Sequence, residues 1–345
     1  MWKKLPCSKS ELQLLYTLTG GQCFRWKSSG ENEWTGVFGH AVWTLSQDDT
    51  HVLYRVTSPA DRAEDPGVGE GADASGGCTR HLQDDTQKAQ LLRKYFRLDE
   101  SLQELYCKWS QQDPHFKQAA VKFQGVRILA QDPVENLFSF ICSSNNNISR
   151  ISSMVEKLCV LYGEKIATVG DTVYHAFPVV SALASTGVEK ALRNAGFGYR
   201  AKFIHQSACK IEEMGGDAWL GKLQELPYVE AKAELMKLPG IGAKVADCIC
   251  LMSLNHLESI PVDTHIFQVA SQRYMPHLKK YKSVTAKVYD EIGDYFRDLY
   301  GVYAGWAHTI LFCADLKMFQ QDTLSTKSAG SVVINDKNKR RKTAA

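Results

Sequence analysis

The chain has 345 residues, 44% of them hydrophobic and 23% charged, a composition typical of a globular protein with a large core. Its net charge is only +3, so any contact with nucleic acid must come from local basic patches and not from a global field. The ten cysteines include no CxxC pair, and no histidine cluster stands at zinc spacing, so the sequence argues against a structural metal site. No apolar run is long enough to span a membrane.

Short aromatic and β-branched runs between residues 22 and 57 predict an antiparallel β-meander. Polar and glycine-containing segments separate the runs, as turns between neighbouring strands require. The predicted strands are Cys23–Trp26, Trp34–Phe38, Ala41–Leu45 and Val52–Val56. Residues 58–86 then lose hydrophobicity and fill with Gly, Asp, Ala and Ser, so we expect a mobile loop there.

Helical spacing of apolar residues dominates from Gln87 onward. We therefore expect a β-rich N-terminal domain over residues 1–96, a helical region over 97–320 and a basic, disordered tail over 321–345. The tail ends in a cationic cluster, residues 337–342, which indicates nuclear import or loose DNA contact. The first predicted helices are Leu91–Phe96, Leu102–Trp109, Phe116–Phe123, Val134–Ile141 and Ile148–Tyr162.

Two polar or glycine-rich bends interrupt the helical region. Cys142–Asn147 ends in three asparagines, whose amides suit a base edge, although Asn147 is equally explained as a helix N-cap. Gly196–Arg200 presents an aromatic ring and a cation at a helix start, which suits either a base-stacking wedge or an ordinary turn. Arg150 and Arg200 are candidates for nucleotide contact, and isolated arginines are more often solvated.

The segment Leu238–Asp247 predicts a tight turn between two helices. Tyr228–Leu238 is rich in helix-forming residues and Pro239 ends that helix. Gly240 and Gly242 supply backbone angles closed to residues with a β-carbon, so the turn can approach a partner closely. The free N–H groups at the start of the second helix suit a DNA phosphate, while a turn that binds nothing is the alternative. The second helix is predicted from the apolar stripe Val245, Cys248, Ile249 and Met252.

Lys244 lies in the first turn of that second helix. The helix dipole disfavours an ammonium group there and favours a neutral amine, which is a nucleophile. Downstream, Ser259–Val262 is an extended apolar segment, and Asp263 follows it at the N-cap of the next helix. Taken alone, Lys244 is explained as a solvated charge and Asp263 as a helix cap.

Together, the glycine-rich hairpin, its lysine and Pro261-Val262-Asp263 resemble the helix-hairpin-helix DNA glycosylases. Further motifs make the chain similar to eukaryotic 8-oxoguanine DNA glycosylase/lyases from about Leu12 to Asp315. The resemblance implies an α+β fold: an antiparallel, TATA-binding-protein-like β domain joined to two mostly helical domains, with the helix-hairpin-helix at residues 228–254. The further motifs are Gly21–Trp26, Cys142–Asn147 and Gly198–Arg200.

The resemblance implies base excision repair by base flipping. Lys244 attacks the sugar, a Schiff base forms and β-elimination cleaves the strand, while Asp263 stabilises positive charge on the sugar. The substrate is double-stranded DNA with 8-oxoguanine opposite cytosine, and the enzyme needs no cofactor or metal. We expect a nuclear monomer, with a mitochondrial form possible, and no association with membranes.

The same resemblance implies the binding residues. The flipped base lies between Cys248 and Phe312, and the carbonyl of Gly21 accepts the N7–H that only the oxidised base carries. His308 stands where the family usually has Gln; neutral imidazole offers one acceptor and imidazolium none, so we expect lesion affinity to fall as His308 protonates. The DNA-binding set is Tyr199 as the wedge, Asn145, Arg150 and Arg200 on the estranged cytosine, and Gly240, Gly242 and His265 as further contacts.

Two other functions remain open at this point. A non-catalytic DNA-binding protein would use the hairpin only as a phosphate clamp, and its binding would be salt-sensitive and independent of lesions. A bifunctional glycosylase for oxidised pyrimidines would share the lysine. Those enzymes usually carry a four-cysteine iron–sulfur site after the last helix, where this chain has only Cys313.

Overall fold

The computed structural model describes residues 1–58, 85–316 and 319. An antiparallel sheet forms the N-terminal part of the molecule, and its strands are β1 (Lys3–Pro6), β2 (Lys27–Gly30), β3 (Glu33–Phe38), β4 (Ala41–Gln47) and β5 (His51–Thr57). Their order across the sheet is β1-β5-β4-β3-β2. The predicted meander is therefore confirmed for its last three strands, which pair consecutively.

The predicted strand Cys23–Trp26 is wrong, because strand β2 begins only at Lys27. All four side chains of that segment are buried, so it lacks the alternation of a strand with one solvated face. Phe24 packs into the helical core while Trp26 packs under the sheet. The segment thus links the two halves of the molecule and does not pair with a neighbour.

Strand β1 was missed by the sequence analysis. It has four residues, of which only Leu5 is buried, and it pairs along β5 at the edge of the sheet. Short, lysine-rich edge strands carry little hydrophobic pattern, which is why they escape detection.

The rest of the described chain is mostly helical. The five predicted helices are confirmed, four of them with shifted ends, and α2 starts at Asp85, inside the predicted loop. The helix of the hairpin predicted to reach Leu238 ends at Leu235. The helices are α1 (Leu14–Thr19), α2 (Asp85–Tyr95), α3 (Leu102–Gln112), α4 (Pro114–Lys122), α5 (Pro133–Ser143), α6 (Ile148–Tyr162), α7 (Val180–Ala184), α8 (Val188–Asn194), α9 (Arg200–Glu213), α10 (Asp217–Leu223), α11 (Tyr228–Leu235), α12 (Ala243–Ser253), α13 (Thr264–Val269), α14 (Ala286–Tyr300) and α15 (Ala304–Asp315).

A second, two-stranded antiparallel sheet follows α6, formed by β6 (Lys165–Val169) and β7 (Thr172–His175). The molecule is thus α+β, as predicted. Within the described residues, no helix combines the length and the apolar character needed to cross a membrane.

Buried side chains form two large clusters. The smaller lies between the sheet and α2, around Trp43, Leu92 and Phe96, and the larger lies among the helices, around Phe138 and Trp306. The predicted domain limits at residues 96 and 320 stay a prediction. Residues 59–84 and 320–345, which hold most of the predicted loop and the basic tail, lie outside the described residues.

Four helix contacts position the functional site. Helix α12 packs against both α5 and α11, and α15 packs against α13 and α14. The start of α12, the start of α13 and one face of α15 therefore meet in one region. The C-terminal end of α5 lies beside the start of α12, where Lys244 Nζ is 5.0 Å from the centre of the Phe140 ring.

Candidate active site

The hairpin between α11 and α12 has the predicted form, but only one of its two glycines is conformationally required. Gly240 has a φ of 84°, and a β-carbon there would lie 2.6 Å from the ring of Phe203. Gly242 has a φ of −97° and a ψ of −179°, which any residue adopts, and no atom lies within 4 Å of a β-carbon built on it. The prediction that both glycines need angles closed to other residues is therefore wrong for Gly242.

Lys244 lies in the first turn of α12 and is partly exposed. One turn further on, the thiol of Cys248 is buried, and its pKa is raised to about 11 by desolvation. The charge of Lys244 and its hydrogen bond to the thiol act in the opposite direction on the same pKa. Lys244 thus lies near both the Phe140 ring and the thiol of Cys248.

Asp263 caps α13, as predicted. Its Oδ1 accepts a hydrogen bond from the backbone N–H of Ile266 at 3.0 Å. A cap of this kind uses only one carboxylate oxygen. The capping role and an electrostatic role in catalysis are therefore compatible in the same side chain.

His308 is 4% exposed, and the charges of Lys244 and Asp263 both act on its imidazole. Burial lowers its pKa to about 4, Asp263 opposes that shift, and Lys244 adds to it. Within the part of the chain that the structure describes, neither ring nitrogen has a hydrogen-bond partner. The imidazole is therefore neutral at physiological pH, and any loss of lesion affinity through its protonation is confined to strongly acidic solution.

The other predicted pocket residues are Phe312, near the end of α15, and Gly21, in the loop after α1. Phe312 is half-buried, and the ring of His265 stands perpendicular to it with the centroids 5.9 Å apart. His265 Nδ1 also lies 3.3 Å from a carboxylate oxygen of Asp315. Gly21 has a φ of 84°, and a β-carbon on it would sit 3.5 Å from Ile148.

The loop that carries Gly21 also lies against α15. A β-carbon on the neighbouring Gly20 would be 3.3 Å from the sulfur of Cys313, the residue after Phe312. The bend containing Gly21 therefore passes between Cys313 of α15 and Ile148 at the start of α6.

Four of the predicted DNA-contacting residues, Asn145, Arg150, Tyr199 and Arg200, lie near the C-terminal end of α5 and the start of α9. Asn145 and Arg150 are exposed, and Asn145 has a left-handed backbone with a φ of 48°. Tyr199 is 48% exposed, and its hydroxyl donates to the carbonyl of Ser144 at 3.0 Å. The cluster therefore presents an aromatic ring and an amide side by side on the surface.

Arg200 belongs to the same cluster but is 4% exposed. Its guanidinium donates to the backbone carbonyls of Ser144 and Asn145 and lies 4.5 Å from the centroid of Tyr199. In this arrangement Arg200 stabilises the loop at Ser144 and Asn145 through its backbone carbonyls. Its predicted contact with a base stays a prediction.

The sequence analysis did not single out Asp247, whose carboxylate accepts hydrogen bonds from four side chains. This carboxylate is 0% exposed in the middle of α12, three residues after Lys244. The available signal was an acidic residue within an otherwise apolar helix.

The candidate site lies at the N-terminal end of α12. A cavity of about 800 Å³ opens near the other end of α12, lined among others by Arg25, Gln131 and Ser253, and by none of the predicted catalytic or pocket residues. Within the described ranges, no group of three or more His, Cys, Asp or Glu side chains is arranged to hold a metal ion.

Two family models match consecutive parts of the chain. One, described as "8-oxoguanine DNA glycosylase, N-terminal domain", matches residues 4–137, and the other, described as "HhH-GPD superfamily base excision DNA repair protein", matches residues 138–292. The boundary between them falls inside α5.

Known proteins and solved structures are similar over nearly the whole chain. N-glycosylase/DNA lyase OGG1 of Arabidopsis thaliana is 38% identical over 91% of this chain and 80% of its own length. N-glycosylase/DNA lyase of Saccharomyces cerevisiae is 36% identical over 91% of this chain and 86% of its own length. The structure of Clostridium acetobutylicum 8-oxoguanine glycosylase/lyase, in complex with dsDNA containing cytosine opposite to 8-oxoG, is 26% identical. It covers 91% of this chain and 93% of its own, with a TM-score of 0.73.

Proposed function

The chain belongs to the 8-oxoguanine DNA glycosylase/lyase family, and from that membership we propose that Lys244 is its nucleophile. The protein is a bifunctional enzyme of base excision repair, with DNA N-glycosylase activity on 8-oxoguanine and AP lyase activity. One observation supports the residue assignment above the others: Lys244 lies in the first turn of the second helix of the hairpin, and the charges of Lys244 and Asp263 both act on the pKa values of Cys248 and His308.

Lys244 acts at the sugar of a flipped nucleotide, because a stacked base shields the atom that must be attacked. Its neutral amine attacks C1′ while the bond to the base breaks; the bonding electrons leave with the base, which takes up a proton. Loss of a proton and opening of the sugar ring then give a Schiff base. Removal of a C2′ proton expels the 3′ phosphate, which is the lyase step.

Asp263 stabilises the positive charge that develops on the sugar as the base departs. It approaches from the start of α13, while Lys244 approaches from the start of α12. The helix cap fixes the carboxylate in one orientation, which favours electrostatic stabilisation because little reorganisation is needed during reaction.

The base pocket is formed by Cys248, Phe312, His308 and Gly21. The first two flank the faces of the base, and neutral His308 supplies an acceptor toward its Watson–Crick edge. The carbonyl of Gly21 accepts the N7–H of 8-oxoguanine. With guanine the same carbonyl would face an acceptor, at a cost of about 1–3 kcal/mol, which is enough for useful discrimination.

Residues at the end of α5, the start of α9, the hairpin and the start of α13 hold the rest of the DNA. Tyr199 replaces the flipped base in the stack, which offsets part of the unstacking cost. The estranged cytosine is held by Asn145, Arg150 and Arg200, and the strand backbone by Gly240, Gly242 and His265.

The test of the nucleophile is covalent trapping. With borohydride and duplex containing 8-oxoguanine opposite cytosine, the wild-type chain should form a stable protein–DNA adduct, because reduction of the Schiff base leaves a permanent C–N bond. Lys244→Gln should abolish the adduct. Lys237→Gln, which removes a neighbouring exposed lysine near the hairpin, is the control and should still be trapped. An adduct with Lys244→Gln would show that another amine is the nucleophile.

Two other functions give different results in the same assay. A non-catalytic phosphate clamp would bind damaged and undamaged duplex equally, lose affinity steeply with salt and yield no adduct. An enzyme for oxidised pyrimidines would be trapped on a pyrimidine lesion in preference to 8-oxoguanine. A panel of lesions with both duplexes separates the three functions.

We further propose that the protein works as a monomer in the nucleus, with a mitochondrial form as an additional product. All of the proposed catalytic residues come from one chain, so the site needs no second copy. The basic cluster at residues 337–342 is the proposed nuclear signal. Light scattering at working concentrations tests the first statement, and imaging of a chain truncated before residue 337 tests the second.

A further inference from the structure

The carboxylate of Asp247 is buried and fully bonded. Its Oδ1 accepts hydrogen bonds from the hydroxyls of Tyr228 at 2.6 Å and Ser259 at 2.9 Å. Its Oδ2 accepts from Lys232 Nζ at 2.9 Å and from the hydroxyl of Tyr289. These donors belong to three different parts of the chain: α11, the segment before Asp263, and α14.

Stability alone does not require such a group. Moving a carboxylate and an ammonium out of water costs several kcal/mol each, and well-packed apolar residues often stabilise a core as much or more. Lys232 is the ionic partner, with 18% of its side chain exposed against 0% for Asp247. The position of these hydrogen bonds, and not their contribution to stability, is therefore the basis for a functional role.

Two of the four donors tie Asp247 to the segment that leads into Asp263. Ser259 belongs to that segment and bonds both the carboxylate and the backbone carbonyl of Asp247. The hydroxyl of Tyr289 donates its proton to Asp247 and accepts the backbone N–H of Val262 at 3.3 Å. Val262 is the residue immediately before Asp263, and it is 3% exposed.

The same carboxylate is tied to the nucleophile through the helix itself. Asp247 lies three residues after Lys244, so any shift of α12 moves both. Burial and the charge of Asp247 raise the pKa of Tyr289 far above its usual value, so its hydroxyl remains a donor at every working pH. The path from Lys244 through Asp247 and Tyr289 to Asp263 thus consists of one helix, two hydrogen bonds and one peptide unit.

We propose that Tyr289 and Asp247 set the position of Asp263 relative to Lys244, so that Tyr289 is a positioning residue for base release. This inference depends on the catalytic roles proposed above for Asp263 and Lys244. Neither Tyr289 nor Asp247 touches the DNA or the reacting atoms in this arrangement; each acts only through Asp263.

Two tyrosine variants separate positioning from general loosening of the core. Tyr289→Phe and Tyr228→Phe each remove one hydroxyl that donates to Asp247 and keep the ring. Only Tyr289→Phe also removes the acceptor of the Val262 N–H. Ser259→Ala, a small change at the other tie, is a third variant that should preserve the fold.

Single-turnover release of 8-oxoguanine from duplex DNA is the main measurement. We expect Tyr289→Phe to slow release about ten- to a hundredfold, because a misplaced catalytic group costs rate steeply. Ser259→Ala should slow it in the same direction, and Tyr228→Phe should stay within about threefold of wild type. Affinity for lesion duplex should be unchanged in all three, since no residue that contacts DNA is altered.

A second readout isolates the effect on Asp263. Cleavage at a preformed abasic site begins with attack of the amine on an aldehyde and needs no charge stabilisation on a glycosyl sugar. Tyr289→Phe should therefore cleave such a site at nearly the wild-type rate. In an Asp263→Asn background, Tyr289→Phe should add little further loss of base release, because both changes act through one carboxylate.

Three results would overturn the inference. Equal release rates for wild type and Tyr289→Phe, equal losses for Tyr289→Phe and Tyr228→Phe, or additive losses in the Asp263→Asn background each exclude a positioning role. The proposed function fails differently: wild-type protein would then release no 8-oxoguanine at all.

Discussion

At the residue scale, the site depends on side chains that serve the fold and the chemistry together. Asp263 caps α13 with one oxygen, and its negative charge acts to raise the pKa values of Cys248 and His308. His308 is buried without hydrogen bonds among the described residues, which is unfavourable for stability and therefore typical of a functional position.

Asp263→Asn separates the two roles of that residue. Asparagine keeps an oxygen that can accept the Ile266 N–H, so thermal stability should fall only slightly. Loss of the negative charge should slow base release about a hundred- to a thousandfold, the usual effect of removing a group that stabilises transition-state charge. Calorimetry and single-turnover release measure the two effects on the same preparation.

A matched control exists at the start of α5. Asp132 caps that helix through the N–H of Glu135 at 3.0 Å, and no catalytic residue contacts it in the described structure. Asp132→Asn should leave base release at the wild-type rate. A large drop in melting temperature with normal turnover for Asp263→Asn would mean that Asp263 is only a cap.

At the element scale, the hairpin combines a conformational requirement with a proposed DNA-binding surface. Gly240 is forced by the approach of Phe203, whereas Gly242 has an ordinary backbone and open space around it. The two glycines therefore affect different properties of the same turn. The first concerns how α11 and α9 pack, and the second concerns how near a DNA strand can come.

Alanine at each glycine tests this division. Gly240→Ala should destabilise the protein by about 1–3 kcal/mol or more, because the residue has a positive φ and its β-carbon overlaps Phe203. Gly242→Ala should cost about 1 kcal/mol or less, as expected at an N-cap. It should nevertheless weaken binding to duplex DNA, because a methyl group would stand between the helix start and a phosphate. Urea unfolding and a binding titration measure the two effects; unchanged affinity for Gly242→Ala would remove that glycine from the interface.

At the scale of the whole molecule, the site lies near the starts of α12 and α13, the end of α15 and the loop that carries Gly21. The titration of its buried groups is therefore linked to the stability of the whole fold. His308 is the clearest example, because its pKa is about 4 in the folded chain against an ordinary 6.5. Between those values the unfolded chain binds a proton that the folded chain does not, so the free energy of unfolding must fall as the pH falls.

We therefore predict that the unfolding free energy decreases from pH 6.5 to about pH 4 through His308, by no more than about 3 kcal/mol, and that this loss stops below pH 4. His308→Gln should show a shallower decrease over the same range, because glutamine does not titrate. His277→Gln is the control, since His277 is half exposed and pairs with Glu291 at the surface. Parallel urea-unfolding curves for wild type and His308→Gln from pH 7 to pH 4 would refute the prediction.

The sequence by itself determined the local structure around the site. Helix α6 has its predicted limits, and Asn147 and Asp263 cap their helices through the expected backbone N–H groups. The hairpin with Gly240 follows from helix-forming composition, a proline and a turn glycine. Each of these features depends on neighbours within a few residues, and for that reason a sequence pattern is sufficient to predict it.

Only the tertiary structure decided how those pieces meet. Cys23–Trp26 has the composition of a strand but is buried from two sides, and Arg200 turns inward to two carbonyls of a distant loop. Asp247 is bonded by residues 12 to 42 positions later in the chain and 15 to 19 positions earlier. Burial and long-range hydrogen bonds depend on which surfaces pack together, and no periodicity within one segment encodes that choice.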